Sequence, residues 1–186
     1  MITPISRESK VVFGPCRLSY THVFAKYNPS GSDEDGKYMT NILVPKSEKQ
    51  TVKALQEAIE AAKRAGIAAK WGGKEPKKLD MPLRDGDEKD DEVYQGCFYL
   101  NAKCNTRPGI VDKNKAPIMD EEEVYSGVWC VASVTFYAYD RNGNRGVACG
   151  LNNLMKFKDD EHLGGRVSAE SDFGGVEFDD VDDDDL

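Results

Sequence analysis

This chain lacks the features that support cross-linking, metal binding or membrane insertion. Its five cysteines (Cys16, Cys97, Cys104, Cys130, Cys149) are an odd number, and none stands in a Cys-x-x-Cys pair. Neither a disulfide framework nor a thiolate zinc site is therefore expected. Several fall in apolar, strand-like runs, where a thiol acts as a small buried hydrophobe, and a reducing cytoplasm suits them. The two histidines, His22 and His162, have no ligand spacing. With no run of about 18 apolar residues, no membrane helix is expected. The opening MITPISRESK lacks the basic-then-apolar pattern of a secretory leader.

Catalytic signatures are also missing. No glycine-rich phosphate loop is present. Asp140, Asn142 and Asn144 open like a calcium loop, but Arg145 occupies the position that requires glycine. Asp85, Asp87, Asp90 and Asp91 could hold a divalent ion in a nuclease, although a solvated loop is the simpler account of them. The chain is expected to be no enzyme and to carry no metal or other cofactor.

What is present is segregated charge. The formal net charge is −8, from 33 acidic and 25 basic residues. Residues 170–186 hold nine of the acidic side chains and no basic one, so the body carries +1 and the tail −9. The two parts read as a folded domain over 1–169 and an acidic C-terminal tail over 170–186. The tail sequence GGVEFDDVDDDDL cannot bury a core and is expected to be disordered.

Within the body, Val11 to Tyr27 reads as a long strand bent at Gly14-Pro15, and Lys37 to Val44 as a second strand closed by Pro45. Ser47 and Gln50 form a capping box for a helix over 47–65, whose apolar residues Val52, Leu55, Ile59 and Ala62 recur at helical spacing; Gly66 is expected to end or fray it. Residues 72–92 and 105–123 read as long loops around a third strand, Val93 to Cys104. From Tyr125 to Tyr139 the chain alternates on a period of two, then turns at Asn142-Gly143 and returns through Val147 to Phe157. Five strands and one helix suggest a mainly β fold, a five-stranded OB-type barrel with long loops.

The outward face of this barrel is unusual. Beside the apolar set Val128, Cys130, Ala132, Val134, Phe136 and Ala138, the other side of the long strand carries Tyr125, Trp129, Tyr137 and Tyr139. The third strand turns Tyr99, Asn101 and Lys103 outward on the same logic. Rings stack on bases and cations follow phosphates, so this mixture fits a single-stranded nucleic acid. The plainer alternative is that the helix covers these rings as a second half of the core. Arg141 and Arg145 at the hairpin tip, with Arg107, Lys113 and Lys115 in the second loop, are candidate phosphate contacts or simply solvated charges. Asp33, Glu34 and Asp35 argue against binding at their own loop. The tail imitates a short phosphate chain and is expected to compete with DNA. Phe173, Phe178, Asp182, Asp183, Asp184, Asp185 and Leu186 in it are candidates for holding partner proteins.

The segments GKYMTNILVPK (36–46), MPLRDGD (81–87), GCFYLNAKCNTRPGIVD (96–112) and YSGVWCVASVTFYAYDRNGNRGVACGLNNLMKF (125–157), followed by the acidic end, resemble a family of tailed-phage single-stranded DNA-binding proteins with an OB fold. The resemblance implies a protein that coats and protects exposed strands during phage DNA replication, recombination or repair in the host cytoplasm. It also implies replication or recombination proteins as partners of the tail, and it leaves homo-oligomerisation open. Rival readings are an RNA-binding or chaperone module, a protein-interaction or structural phage component, and a nuclease built on the loop carboxylates.

Overall fold

The computed structural model describes residues 1–28, 36–164 and 169–177. The described elements begin with β1 (Ile5–Arg7), β2 (Lys10–Tyr27), β3 (Lys37–Pro45) and α1 (Lys49–Ala69). They continue through β4 (Leu83–Asp85), β5 (Cys97–Cys104), β6 (Gly109–Val111), β7 (Trp129–Arg141), β8 (Asn144–Lys158) and α2 (Ala169–Phe173). Five long strands close a barrel of the OB type. β2 pairs antiparallel with β3 and β7, β3 with β5, and β7 with β8, while a short parallel pairing of β5 with β8 at Ala102–Cys149 and Lys103–Gly150 shuts the ring. Closure removes the exposed edges that such long strands would otherwise present.

The period-two reading of β7 decides what lies inside. Cys130, Ala132, Val134 and Phe136 are buried and meet Val11, Phe13, Ile42, Leu100 and Leu151 in one apolar core. The Gly14-Pro15 kink is present: β2 slips register against β7 between Phe13 and Cys16, and Gly14 has φ of +130°. A side chain there would press on the Cys130 carbonyl, so glycine serves both the backbone angle and the close approach.

Two helix-end readings are corrected. Ser47 is not the cap: Glu48 holds that place and makes no side-chain capping bond, so no capping box forms. Instead the turn after Pro45 is closed by backbone bonds from Glu48 N to the Pro45 carbonyl and from Lys49 N to the Ser47 carbonyl. Nor does Gly66 end the helix, which runs on to Ala69. Gly66 is buried where α1 crosses β7, and a Cβ there would overlap that of Ala138 and stand 3.0 Å from the Trp71 ring. The glycine is a contact residue, and close packing outweighs its poor helix propensity. Gly66→Ala is therefore expected to lower stability by about 1 kcal/mol, with overpacking exceeding the propensity gained. A thermal melt checks this; a rise in Tm would show that the contact relaxes freely.

The two long loops are also more ordered than their sequence suggests. The first contains β4, paired with β5, and 3₁₀ turns over 86–88 and 92–94; the second contains β6, paired in parallel with β8. The third barrel strand accordingly begins at Cys97, while Val93 and Tyr94 sit in a turn capped by Asp91. Three-residue strands are too short to carry a period of their own and take their register from the strand beside them. Asp85 and Asp87, weighed above as metal ligands, clamp Lys46 at 2.7 and 2.6 Å. The helix lies between the second and third barrel strands, where a generic OB fold has it between the third and fourth. α2 (Ala169–Phe173) includes the first residues of the acidic segment that begins at position 170. Phe178, the 182–186 segment and the acidic stretch Asp33–Asp35 lie outside the described residues.

Candidate nucleic-acid interface

Does the helix cover the aromatic face? It does not. α1 packs on β7, β2, β8 and β1 and sends Val52, Leu55, Ile59 and Ala62 into the shared core. At its C-terminal end Trp71 is buried, and its Nε1 donates to the Tyr139 carbonyl at 3.2 Å, tying the helix to β7. The outward rings of β7 are left for other contacts, and the strand divides them into two clusters at opposite ends.

The first cluster is a groove of about 270 Å³ where β5 meets β8. Five of the residues singled out from sequence line it: Asn101 and Lys103 from β5, and Tyr137, Tyr139 and Arg141 from β7. Lys37 from β3 and Arg84 from β4 join them, with Asp80, Met81 and Pro82. Tyr137 is 48% exposed although it stands in the middle of a sheet. Gly150 on the neighbouring strand lies beneath it, where a Cβ would reach ordinary contact with the Tyr137 Cε1 at 3.4 Å. The ring lies over the glycine and turns a free face to solvent.

Tyr139 is held differently. Its hydroxyl donates to Asp80 Oδ2 at 3.3 Å, and burial, with Asp80 alongside, pushes that hydroxyl above its ordinary pKa. Asp80 in turn exchanges backbone bonds with β8, accepting from Val147 N and donating to the Arg145 carbonyl. Arg84 pairs with Asp80 at 3.4 Å. Among the described residues no carboxylate stands within ion-pair distance of Lys37, Lys103 or Arg141. An exposed ring beside three such cations can stack a base and hold the phosphates on either side of it.

The second cluster is occupied by the chain itself. Tyr125 stacks on His162, centroids 3.9 Å apart and planes at 4°, and its hydroxyl donates to Asp159 Oδ1 at 2.8 Å. Trp129 Nε1 donates to Asp160 Oδ2 at 2.8 Å, which holds that carboxyl below the usual range. Arg17 Nη2 donates to the Glu161 carbonyl at 2.8 Å. The segment 159–163 thus straps down both rings. It lies so close to Gly127 (φ +114°) that any side chain there would meet the Glu161 carbonyl. Trp129 and Tyr137 are eight residues apart on one strand, about 26 Å.

The remaining candidates are dispersed. Arg107 sits over Phe24 at 5.2 Å and Lys113 over exposed Phe157 at 4.5 Å, while Lys115 is an exposed loop residue at φ +66°. Arg145 pairs with Asp140 at 3.0 Å across the hairpin and stays out of the groove that Arg141 lines. Phe173 is 66% exposed at the end of α2. Sequence reasoning missed Lys37 and Arg84. Each stands beside a turn-rich stretch with no period, and only the pairing of β4 with β5 and of β3 with β5 brings them to the groove.

The model of a family described as "Enterobacter phage Enc34, ssDNA-binding protein" matches residues 9–186. The chain belongs to this family. A protein of Acyrthosiphon pisum secondary endosymbiont phage 1, "Putative protein p50", is 34% identical over 175 residues, covering 88% of this chain and 92% of that protein. Among solved structures, the single-stranded DNA-binding protein from bacteriophage Enc34 in complex with ssDNA is similar with a TM-score of 0.74 and 22% identity, over 87% of this chain and 98% of that one. A C-terminal truncation of the Enc34 protein is similar with a TM-score of 0.72 and 21% identity, over 86% and 96%. The single-stranded DNA-binding protein gp2.5 of bacteriophage T7 is similar with a TM-score of 0.61 and 15% identity, over 86% and 97%. These Enc34-type and T7 likenesses establish the OB-type barrel for this phage protein.

Proposed function

We propose that this chain binds single-stranded DNA without sequence preference and protects exposed strands during phage DNA replication, recombination or repair in the host cytoplasm. The observation that carries the reading is Tyr137, a half-exposed ring over Gly150, flanked by Lys37, Lys103 and Arg141. Family membership and the DNA-bound Enc34 likeness support it. Stacking accepts any base, and cations follow a backbone that every sequence shares, so little discrimination is expected. No catalytic step is assigned to any residue.

The acidic tail belongs to the same proposal. Its nine carboxylates compete with the strand for the groove cations and, once displaced, are free to meet replication or recombination proteins. Anisotropy of labelled oligomers across a salt series tests this, comparing the full chain with a truncation ending near Ser171. Both should bind thymine and mixed-sequence strands alike and far better than duplex. The log–log salt slope should be about −2 to −3 if three or four phosphates are neutralised. The truncation should bind more tightly, with the advantage shrinking as salt rises. Equal or weaker binding by the truncation would remove the competition claim.

A further inference from the structure

Beyond the groove, β5 carries one more outward ring, Tyr99, and it belongs to a cluster that the sequence did not reveal. Tyr20 in β2 has φ of +48° and is 54% exposed. It sits where β2 slips register against β3, between Ser19 and His22. A bulky residue in the left-handed region is strained, and such strain tends to persist where a site uses it. Here the strain gains little packing, because the ring points largely into solvent.

Lys89 stands over this group. Its ammonium is 5.0 Å from the Tyr20 centroid, 4.3 Å from Tyr94 and 5.2 Å from Tyr99, and among the described residues no carboxylate lies within ion-pair distance of it. Tyr94 is a fixed floor: fully buried, its hydroxyl accepting from Asn41 Nδ2 at 2.7 Å and its ring set edge-on to Tyr99 at 5.1 Å. Tyr20 and Tyr99 are the accessible rings above it.

The cluster is continuous with the groove. Tyr99, Asn101 and Lys103 alternate on one face of β5, and the last two line the groove. Arg84, also a groove residue, is the register partner of Tyr99. Between them, Asn101 Oδ1 is buried with no hydrogen-bond partner. From Lys103 to Tyr99 is about 13 Å along the strand.

We propose that Tyr20, Tyr99 and Lys89 form a second nucleotide subsite. A single strand leaving the Tyr137 groove runs along β5, past the free Asn101 acceptor. It lays a base on Tyr20 and Tyr99, and Lys89 moves from the rings to the adjoining phosphate. This rests on the single-strand reading above and extends it by a defined direction of travel.

The test uses the full-length protein and labelled thymine oligomers of about 16 nucleotides, the upper end of OB-fold site sizes. Tyr20→Asn removes the ring yet tolerates the left-handed backbone, so the fold should be at least as stable. It should weaken binding roughly 5- to 150-fold, the range for one lost stack. Lys89→Ala should flatten the salt slope by about 0.7, one phosphate contact on a single strand. Tyr20→Asn binding like the wild type, while Tyr137→Ala is impaired, would overturn the second subsite and leave the groove reading intact. A drop in Tm for Tyr20→Asn would overturn it too, since the ring would then be structural. If the unaltered chain binds no single strand at low salt, the groove reading fails and the subsite fails with it.

Discussion

Replacing Tyr137 by alanine should weaken single-strand binding roughly 5- to 150-fold, the value of one base stack. The melting temperature should hardly change, because the ring is 48% exposed and lies outside the core. Tyr137→Trp should keep or improve affinity, since it offers a larger face over the same Gly150. Anisotropy titrations beside a thermal melt would check both. If the alanine variant binds thymine oligomers as well as the wild type, the groove is not where bases stack.

The preceding residue should behave in the opposite way. Phe136 is 1% exposed and is among the largest fully buried side chains. Phe136→Ala removes a ring from a closed barrel that cannot collapse around the gap, at a cost of about 3–5 kcal/mol. For a domain of this size the Tm should fall by roughly 6–20 °C. The protein that remains folded should bind DNA normally. Urea unfolding with binding measured at low temperature separates the two effects. A loss under about 1 kcal/mol would mean that the barrel repacks, and that its interior is less close-packed than described. If Phe136→Ala loses stability and keeps binding while Tyr137→Ala does the reverse, neighbours 136 and 137 divide stability and binding between them, as the pleat of a strand requires.

How far each feature was legible follows from the range of the interactions that make it. The alternation from Val128 to Ala138 and the Asn142-Gly143 turn are local, so the hairpin, its inward set and the outward side of Tyr137 could be read directly. Asn101 and Lys103 follow from the same period on β5. The helix was visible, but its ends were not, because Gly66 is explained by Ala138 and Trp71, one of them 72 positions away in sequence. Tyr125 and Trp129 have the same pattern as Tyr137, yet a strap from residues 159–163 covers them. Nothing in the alternation distinguishes a covered ring from an open one.

The amino-acid order by itself determined the β architecture, the alternating faces and the separation of a near-neutral body from a tail of nine carboxylates. These depend on backbone periodicity and on composition. Only the tertiary structure decided which charges converge. Lys37, Arg84, Lys103 and Arg141 come from four strands, and Tyr20, Lys89 and Tyr99 from two strands and a loop. Barrel closure at β5 and β8 brings the groove together, and a site assembled by closure leaves no spacing in the chain to read.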